Sequence, residues 1–226
     1  RMLIIAFDPS KSTGWAIYRP ADRNRDYFGS AVKCGILEMP KGADAYYTAD
    51  QIGLKVTALL RSIVDRDGNR IKPDFAILEQ QAEAQISVQG RDQSFAGSIF
   101  PWVATSAIVA TLANFGIPYG TIMPATWRKT FFPAGYKPPQ NPVLDKNKQP
   151  ALDKFGKPKF KSDWKAAAVS ESERLGIELP PQKTISHNAA EACALAISWF
   201  EAKIHAGRYE APLTALLQRR NTKEAA

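Results

Sequence analysis

Short apolar runs and polar turns alternate at the start of the chain. Three apolar runs, at residues 2–8, 14–19 and 31–39, predict three β-strands, and the polar segments between them predict hairpin connections. Strands that are joined by hairpins pair in antiparallel fashion. The pattern therefore predicts an antiparallel meander.

Helical and extended patterns alternate along the next part of the chain. Apolar residues recur at helical spacing over 48–65, and residues 74–81 predict a fourth, buried strand. A second helix is predicted over about 98–115, and a fifth strand follows at 117–123. This order predicts an α/β fold with a central mixed five-stranded sheet, its first three strands antiparallel, flanked by helices.

Composition narrows the class of protein. A chain of 226 residues with 45% hydrophobic content can bury one sizeable core. Its net charge of +8 indicates a polyanionic partner such as nucleic acid, although a solvated cationic face gives the same charge. Cys34 and Cys193 lack the spacing of zinc sites or disulfide frameworks. Residues 93–127 carry no charge, but prolines and hydroxyl groups interrupt them, so we expect no membrane span. No signal-peptide pattern opens the sequence, and we expect a cytoplasmic protein.

Two of the predicted strands end on an acidic residue. Asp8 closes the first strand and Glu79 closes the fourth. An unpaired carboxylate inside a sheet would be costly to desolvate. Each residue alone could simply mark the solvent end of its strand, but two on strands that could be neighbours form a candidate site.

A third acidic residue lies in an alanine-rich helical segment, residues 186–204. Glu191 is the only acid in the first turns of that helix, and Asn188 shares its face three residues earlier. His187 lies beside them. A capping box, with Asn188 as the cap and Glu191 reaching back to its amide, explains the same pair without any catalytic role.

These three segments resemble the acidic motifs of RuvC-type Holliday-junction resolvases, in the RNase H-like (retroviral integrase) superfamily. The matching stretches read IIAFDPSKSTGWAIY, FAILEQQ and SHNAAEACALA, in that order. The resemblance covers about residues 2–205. It implies an RNase H-like fold in a single nuclease domain over 1–205, followed by a C-terminal tail at 206–226.

The resemblance implies an endonuclease that cuts Holliday junctions or related branched DNA as a homodimer, in recombination, repair or phage DNA processing. It implies two Mg²⁺ ions per active site, for which Mn²⁺ would substitute, because two cations can stabilise charge on the attacking and leaving oxygens of a phosphodiester. Magnesium prefers oxygen ligands. The implied catalytic and metal-binding residues are Asp8, Glu79, Asn188 and Glu191, with His187 as a candidate catalytic neighbour.

The sequence departs from the resolvase pattern in two places. Resolvases usually carry aspartate, or sometimes histidine, at the position of Asn188, so the site is either natively weaker or an engineered inactive variant. Junction resolvases also often place an aromatic residue soon after the glutamate, where this chain has Gln80-Gln81-Ala82. Substitutes for that aromatic residue would be Phe95, Phe100 or Trp102.

Residues 133–162 are rich in lysine and proline and lack apolar periodicity, which predicts an inserted basic loop, or a hairpin with a turn at DKFGK. A solvated insertion without function is the alternative. By resemblance, Lys129 follows the fifth strand and Lys165 starts the next helix at a DNA-facing position. The DNA-binding candidates are Lys129, Lys154, Lys157, Lys159, Lys161 and Lys165.

Two other functions stay open at this point. Asn188 is compatible with a branched-DNA-binding protein whose catalysis is weak or lost. Residues 8–18 also resemble the first phosphate loop of actin-like ATPases and sugar kinases, but the chain has neither a second phosphate motif nor an adenosine-binding glycine loop.

Overall fold

A computed structural model describes residues 2–81, 95–145, 147, 149–182 and 185–201. Its central sheet has five strands in the order β3-β2-β1-β4-β5. The first three strands pair antiparallel, and β4 and β5 add to β1 in parallel, which confirms the predicted mixed sheet. The strands are β1 Ile4–Asp8, β2 Ser12–Tyr18, β3 Val32–Glu38, β4 Phe75–Glu79 and β5 Tyr119–Ile122.

Helices cover both faces of this sheet. They are α1 Ala45–Ser62, α2 Phe95–Asn114, α3 Pro124–Phe131, α4 Trp164–Arg174 and α5 Ser186–Glu201. The predicted first helix begins earlier than its apolar pattern, because the Asp44 carboxylate caps it by accepting the Tyr47 N–H at 2.7 Å. None of the described helices combines the length and hydrophobicity that crossing a membrane requires.

Strand alternation explains why the core has two halves. Ile4 and Ala6 of β1 point to the cluster that contains α5, whereas Ile5 and Phe7 point to the cluster that contains α1 and α2. All four side chains are fully buried. β1 is therefore covered on both faces, and only its end can present a polar group to solvent.

α5 lies unusually close to β2. A Cβ atom added at Gly14 would be 1.9 Å from the backbone oxygen of Asn188, so only glycine allows this approach. Gly14 is also the residue of β2 that pairs with Asp8. The start of α5 is therefore fixed against the end of β1.

The basic insertion is built on a repeat of eight residues, PVLDKNKQ, PALDKFGK and PKFKSDWK, beginning at Pro142. Val143, Ala151 and Lys159, equivalent positions of the repeat, form a closed ring of three backbone hydrogen bonds of 2.7–2.9 Å. Two short strands, β6 Gln140–Pro142 and β7 Phe160–Ser162, join the ring to the domain. We call the described residues of 139–163 the basic knob. The sequence showed this repeat, which our loop prediction missed.

Two predictions fall outside the described residues. The C-terminal tail at 206–226 lies there, and so does the domain boundary at 205. The side chain of Phe95, one of the three aromatic candidates, also lies outside them.

Candidate active site

The ends of two parallel strands bring the predicted carboxylates together. Asp8 ends β1 and Glu79 ends the neighbouring strand β4, and parallel strands end at the same edge of a sheet. The first turns of α5 place Asn188 and Glu191 at that edge. One cavity of about 430 Å³ is lined by Asp8, Glu79, Asn188 and Glu191, together with Ser10, Lys11, Ser12, Arg128, Lys165, Ile185 and His187.

Asp8 and Glu191 form a buried, like-charged pair. They are 8% and 5% exposed. Burial, followed by the charges of Glu191 and Glu79, raises the pKa of Asp8 well above its usual range. Burial, followed by the charge of Glu79, raises the pKa of Glu191 to about 7.

Glu79 is oriented by a tryptophan. The indole N–H of buried Trp127, on α3, donates to Glu79 Oε2 at 2.7 Å. Burial raises the pKa of Glu79, while this hydrogen bond and the charges of Arg128 and Lys165 lower it. Because Trp127 occupies one carboxylate oxygen, the other is available to the cavity.

Lys165 and His187 both line the cavity. Lys165 Nζ lies 2.9 Å from His187 Nε2. Burial, followed by the charge of Lys165, lowers the pKa of His187, so its neutral imidazole accepts a hydrogen bond from the lysine. His187 therefore holds the ammonium group of Lys165 in the cavity, where its charge faces the carboxylates.

Solved structures share this architecture. No family model and no curated protein matches the chain. Thermus thermophilus RuvC in complex with Holliday junction substrate superposes with a TM-score of 0.55 at 13% identity, and a second structure of T. thermophilus RuvC with 0.56 at 15% identity. Each superposition covers 92% of this chain and 99% of the RuvC chain. The chain has a RuvC-like fold. This confirms the predicted RNase H-like architecture. The chemistry of the site is inferred from the residues that line the cavity.

The donor set of this cavity fits a hard divalent cation. Its ligands would be oxygen atoms of three carboxylates and one amide, which suit Mg²⁺ and Mn²⁺. Within the described residues, no group of three or more His, Cys, Asp or Glu side chains is already arranged to hold a metal ion. The fit is supported by the raised pKa values of the buried Asp8 and Glu191 carboxyl groups, which a bound cation would lower.

Asn188 is tied to the sheet by its side chain. Its Nδ2 donates to the backbone oxygen of Ser12. The capping-box alternative is wrong, because α5 begins at Ser186 and Asn188 lies inside its first turn. An aspartate at 188 would place a second acceptor against the Ser12 carbonyl, so the cavity suits an amide here.

Arg128 is a cavity residue that the sequence analysis missed. It lines this cavity, whereas the predicted Lys129 does not and lines a neighbouring cavity on α3. The charge of Arg128 lowers the pKa values of Glu79 and Glu191. The spacing of residues on α3 contained this information. Arg128 lies four residues after Pro124 and three before buried Phe131, so it shares a helical face with both, and Lys129 does not.

For hydrolysis of a DNA phosphodiester in this cavity, we expect Arg128→Ala to lower the rate about 100-fold, as removal of a preorganised cationic donor does elsewhere. Lys129→Ala is the matched control and should change the rate little. The measurement is single-turnover cleavage with protein in excess over DNA, with circular dichroism to verify the fold. Equal effects of the two substitutions would contradict the placement of Arg128.

We expect Glu191→Gln to raise the melting temperature at pH 8 in EDTA. A carboxyl group whose folded pKa lies above its unfolded value of about 4.3 contributes stability that is complete below that value. This stability is lost as pH rises through about 7. The neutral isostere avoids the loss, so its advantage over wild type should shrink at pH 5. Added Mg²⁺ should stabilise wild type more than the variant. The difference in melting temperature between Glu191→Gln and wild type should be larger at pH 8 than at pH 5. A smaller difference at pH 8 would contradict the like-charged pair of Asp8 and Glu191.

Proposed function

We propose that this protein is a metal-dependent endonuclease that cuts Holliday junctions or related branched DNA. One observation carries the proposal: three carboxylates, those of buried Asp8 and Glu191 and of partly buried Glu79, share a cavity with Lys165 and Arg128 at the strand ends of a RuvC-like sheet. The solved RuvC with a Holliday junction substrate, which has this fold, supports the choice of substrate. DNA recombination, DNA repair and phage DNA processing are the contexts that require such cleavage.

The residues of this chain divide the chemistry between them. Asp8, Glu79, Glu191 and the Oδ1 atom of Asn188 would hold two Mg²⁺ ions, with Mn²⁺ as a substitute. When bound, these ions supply charge stabilisation at the attacking and leaving oxygens of the phosphodiester and lower the pKa of water.

The cationic side chains would hold the phosphate. Lys165 and Arg128 line the cavity and can neutralise the non-bridging oxygens of the cleaved phosphate. Trp127 keeps Glu79 in position through its indole hydrogen bond. The bond from Asn188 to Ser12 keeps the start of α5, and with it Glu191, at the edge of the sheet.

The DNA outside the cavity would be gripped by the basic knob. Lys154, Lys157, Lys159 and Lys161 are exposed there, and Lys129 adds charge on α3. Such contacts position a duplex without reading its sequence, and they weaken steeply with salt because each neutralised phosphate releases counterions.

We further propose a homodimer that acts in the bacterial cytoplasm, whether encoded by the bacterium or by a phage. Two symmetric cuts across a four-way junction need two active sites. Because one chain contributes one cavity of this composition within its described residues, a second copy would supply the other cut.

The test is to incubate the protein with labelled four-way junction, linear duplex or ATP, each with Mg²⁺ or EDTA. Paired, metal-dependent nicks in the junction alone are the expected result. Equal cutting of linear duplex would contradict selectivity for branched DNA. Hydrolysis of ATP without cleavage would favour the actin-like ATPase or sugar kinase alternative.

A catalytically weak branched-DNA-binding protein is the second candidate, and Asn188 favours it because an amide adds no charge to the metal site. It predicts binding of the junction without cuts by the protein with Asn188, and cuts by Asn188→Asp in Mg²⁺. In EDTA we expect Asn188→Asp to be less stable than wild type, because it replaces the donor to Ser12 with a fourth acid in the cavity. A gel-shift assay and a nicking assay on the same samples separate the two candidates.

A further inference from the structure

The outer turn of the basic knob, residues 152–158, presents an aromatic ring to solvent. Phe155 is 74% exposed. Burying such a ring is favourable wherever a partner surface is available, and DNA bases offer flat aromatic faces for stacking.

The turn that carries Phe155 is held rigidly. Asp153 Oδ1 accepts the backbone N–H groups of Phe155 at 2.8 Å and Lys157 at 2.9 Å. Gly156 follows with a φ of 75°, a conformation that glycine adopts without strain. Because the turn is already ordered, a partner that stacks on Phe155 has little backbone entropy left to remove.

Further apolar side chains surround the same unit. Leu144, Leu152 and Phe160 occupy equivalent positions of the eight-residue repeat and are 53%, 55% and 60% exposed. Each directly follows a residue of the three-bond backbone ring, so the three lie on neighbouring hydrogen-bonded segments. The knob therefore exposes apolar groups as part of its architecture.

Charge decides which partner these apolar groups fit. Lys154, Lys157, Lys159 and Lys161 surround them, and within the described part of the chain none of the four forms an ion pair. The acids of the two turns bind the backbone instead, since Asp145 and Asp153 each accept two backbone N–H groups. Lysine is depleted in protein–protein interfaces, whereas aromatic rings interleaved with cations are typical of surfaces that bind unpaired nucleotides.

The knob is also anchored beside the active-site cavity. Asp163 caps α4 through Ala166 N–H at 2.9 Å and accepts a hydrogen bond from Asn141 Nδ2 at 2.7 Å. A second cavity of about 430 Å³ at the base of the knob includes Lys161 and shares Arg128, Lys165 and Glu191 with its lining. The position of the knob is thus set relative to the carboxylates.

We propose that the outer turn of the basic knob binds an unpaired or unstacked base at the branch of the DNA, with the Phe155 ring stacked on the base and Lys154 and Lys157 on the adjacent phosphates. This inference rests on the proposed function. By holding one base at a fixed place relative to the cavity, the turn selects which phosphate reaches the carboxylates.

The test measures binding in EDTA to a four-way junction that carries the fluorescent adenine analogue 2-aminopurine at the branch. Wild type should quench the analogue. Phe155→Ala should weaken binding about tenfold or more and abolish the quenching, and Phe155→Trp should restore both. Tyr46→Ala, which removes an 88% exposed aromatic residue from α1, is the matched control and should change neither.

Salt dependence separates stacking from charge. The slope of log affinity against log salt should be unchanged in Phe155→Ala, and should fall by about 0.9 per lysine removed in Lys154→Ala/Lys157→Ala. Wild-type affinity and quenching in Phe155→Ala would overturn the inference alone. A change of oligomeric state without an effect on DNA would overturn it in favour of a protein interface. Failure of wild type to bind any branched DNA would overturn the proposed function and this inference together.

Discussion

Asp8→Asn is expected to abolish cleavage of a four-way junction while leaving the affinity for the junction unchanged. Asp8 is buried at the end of β1 and lines the same cavity as Glu79 and Glu191. The substitution removes a ligand charge from the centre of the donor set, and cations contribute several kcal/mol to such reactions, so we expect a loss on the order of 1,000-fold in rate. The knob lysines do not depend on Asp8, which is why binding should persist.

The measurement is single-turnover cleavage in Mg²⁺, paired with a gel-shift assay in EDTA. Asp50→Asn, at an exposed position on α1, is the matched control and should cleave like wild type. Cleavage by Asp8→Asn at the wild-type rate would contradict the assignment of this cavity as the active site. Loss of binding and cleavage together would mean that the cavity and the grip are not separate.

Gly14→Ala is expected to be the most damaging substitution outside the carboxylates. The new Cβ would lie 1.9 Å from the oxygen and 2.2 Å from the carbonyl carbon of Asn188, and these are backbone atoms that cannot rotate away. α5 would have to move from β2, carrying Asn188 and Glu191 with it. We expect a loss of about 3 kcal/mol in the free energy of unfolding, at the upper end for overpacking, together with loss of cleavage.

Urea unfolding of Gly14→Ala and Gly53→Ala tests this contact. Gly53 lies inside α1, where a Cβ would be 3.8 Å from Thr111 Oγ1, an ordinary contact. Gly53→Ala should therefore stabilise the protein by about 0.5–1 kcal/mol through helix propensity. Wild-type stability and activity in Gly14→Ala would contradict the close packing of α5 on β2.

Much of the fold was readable from the sequence because its signals are local. Alternating and helical apolar patterns gave the sheet and its antiparallel start, and an acid at the end of each of two parallel strands placed Asp8 and Glu79 at one edge. Glu191 was found because it is an isolated acid in an alanine-rich helical face. Each of these inferences needed only residues close together in the chain.

The rest depends on contacts between distant segments. The indole bond from Trp127 to Glu79 joins α3 to β4, and the bond from Asn188 to Ser12 joins α5 to β2. No apolar periodicity determines which rotation of α5 directs Asn188 toward the sheet, so the sequence leaves the capping box open. In the structure, the backbone of Asn188 lies against Gly14. The basic knob does not depend on such distant contacts, because its eight-residue repeat is a local signal in the sequence that our loop prediction did not include.

The location of divalent cations in the cavity is the most direct test of the central claim. Crystals of the protein soaked in Mn²⁺, at a concentration that supports junction cleavage, should give anomalous difference density beside Asp8 and Glu191, and none there in crystals of Asp8→Asn. Mn²⁺ density elsewhere on the protein, with none beside these carboxylates, would contradict the claim that they hold the catalytic metal.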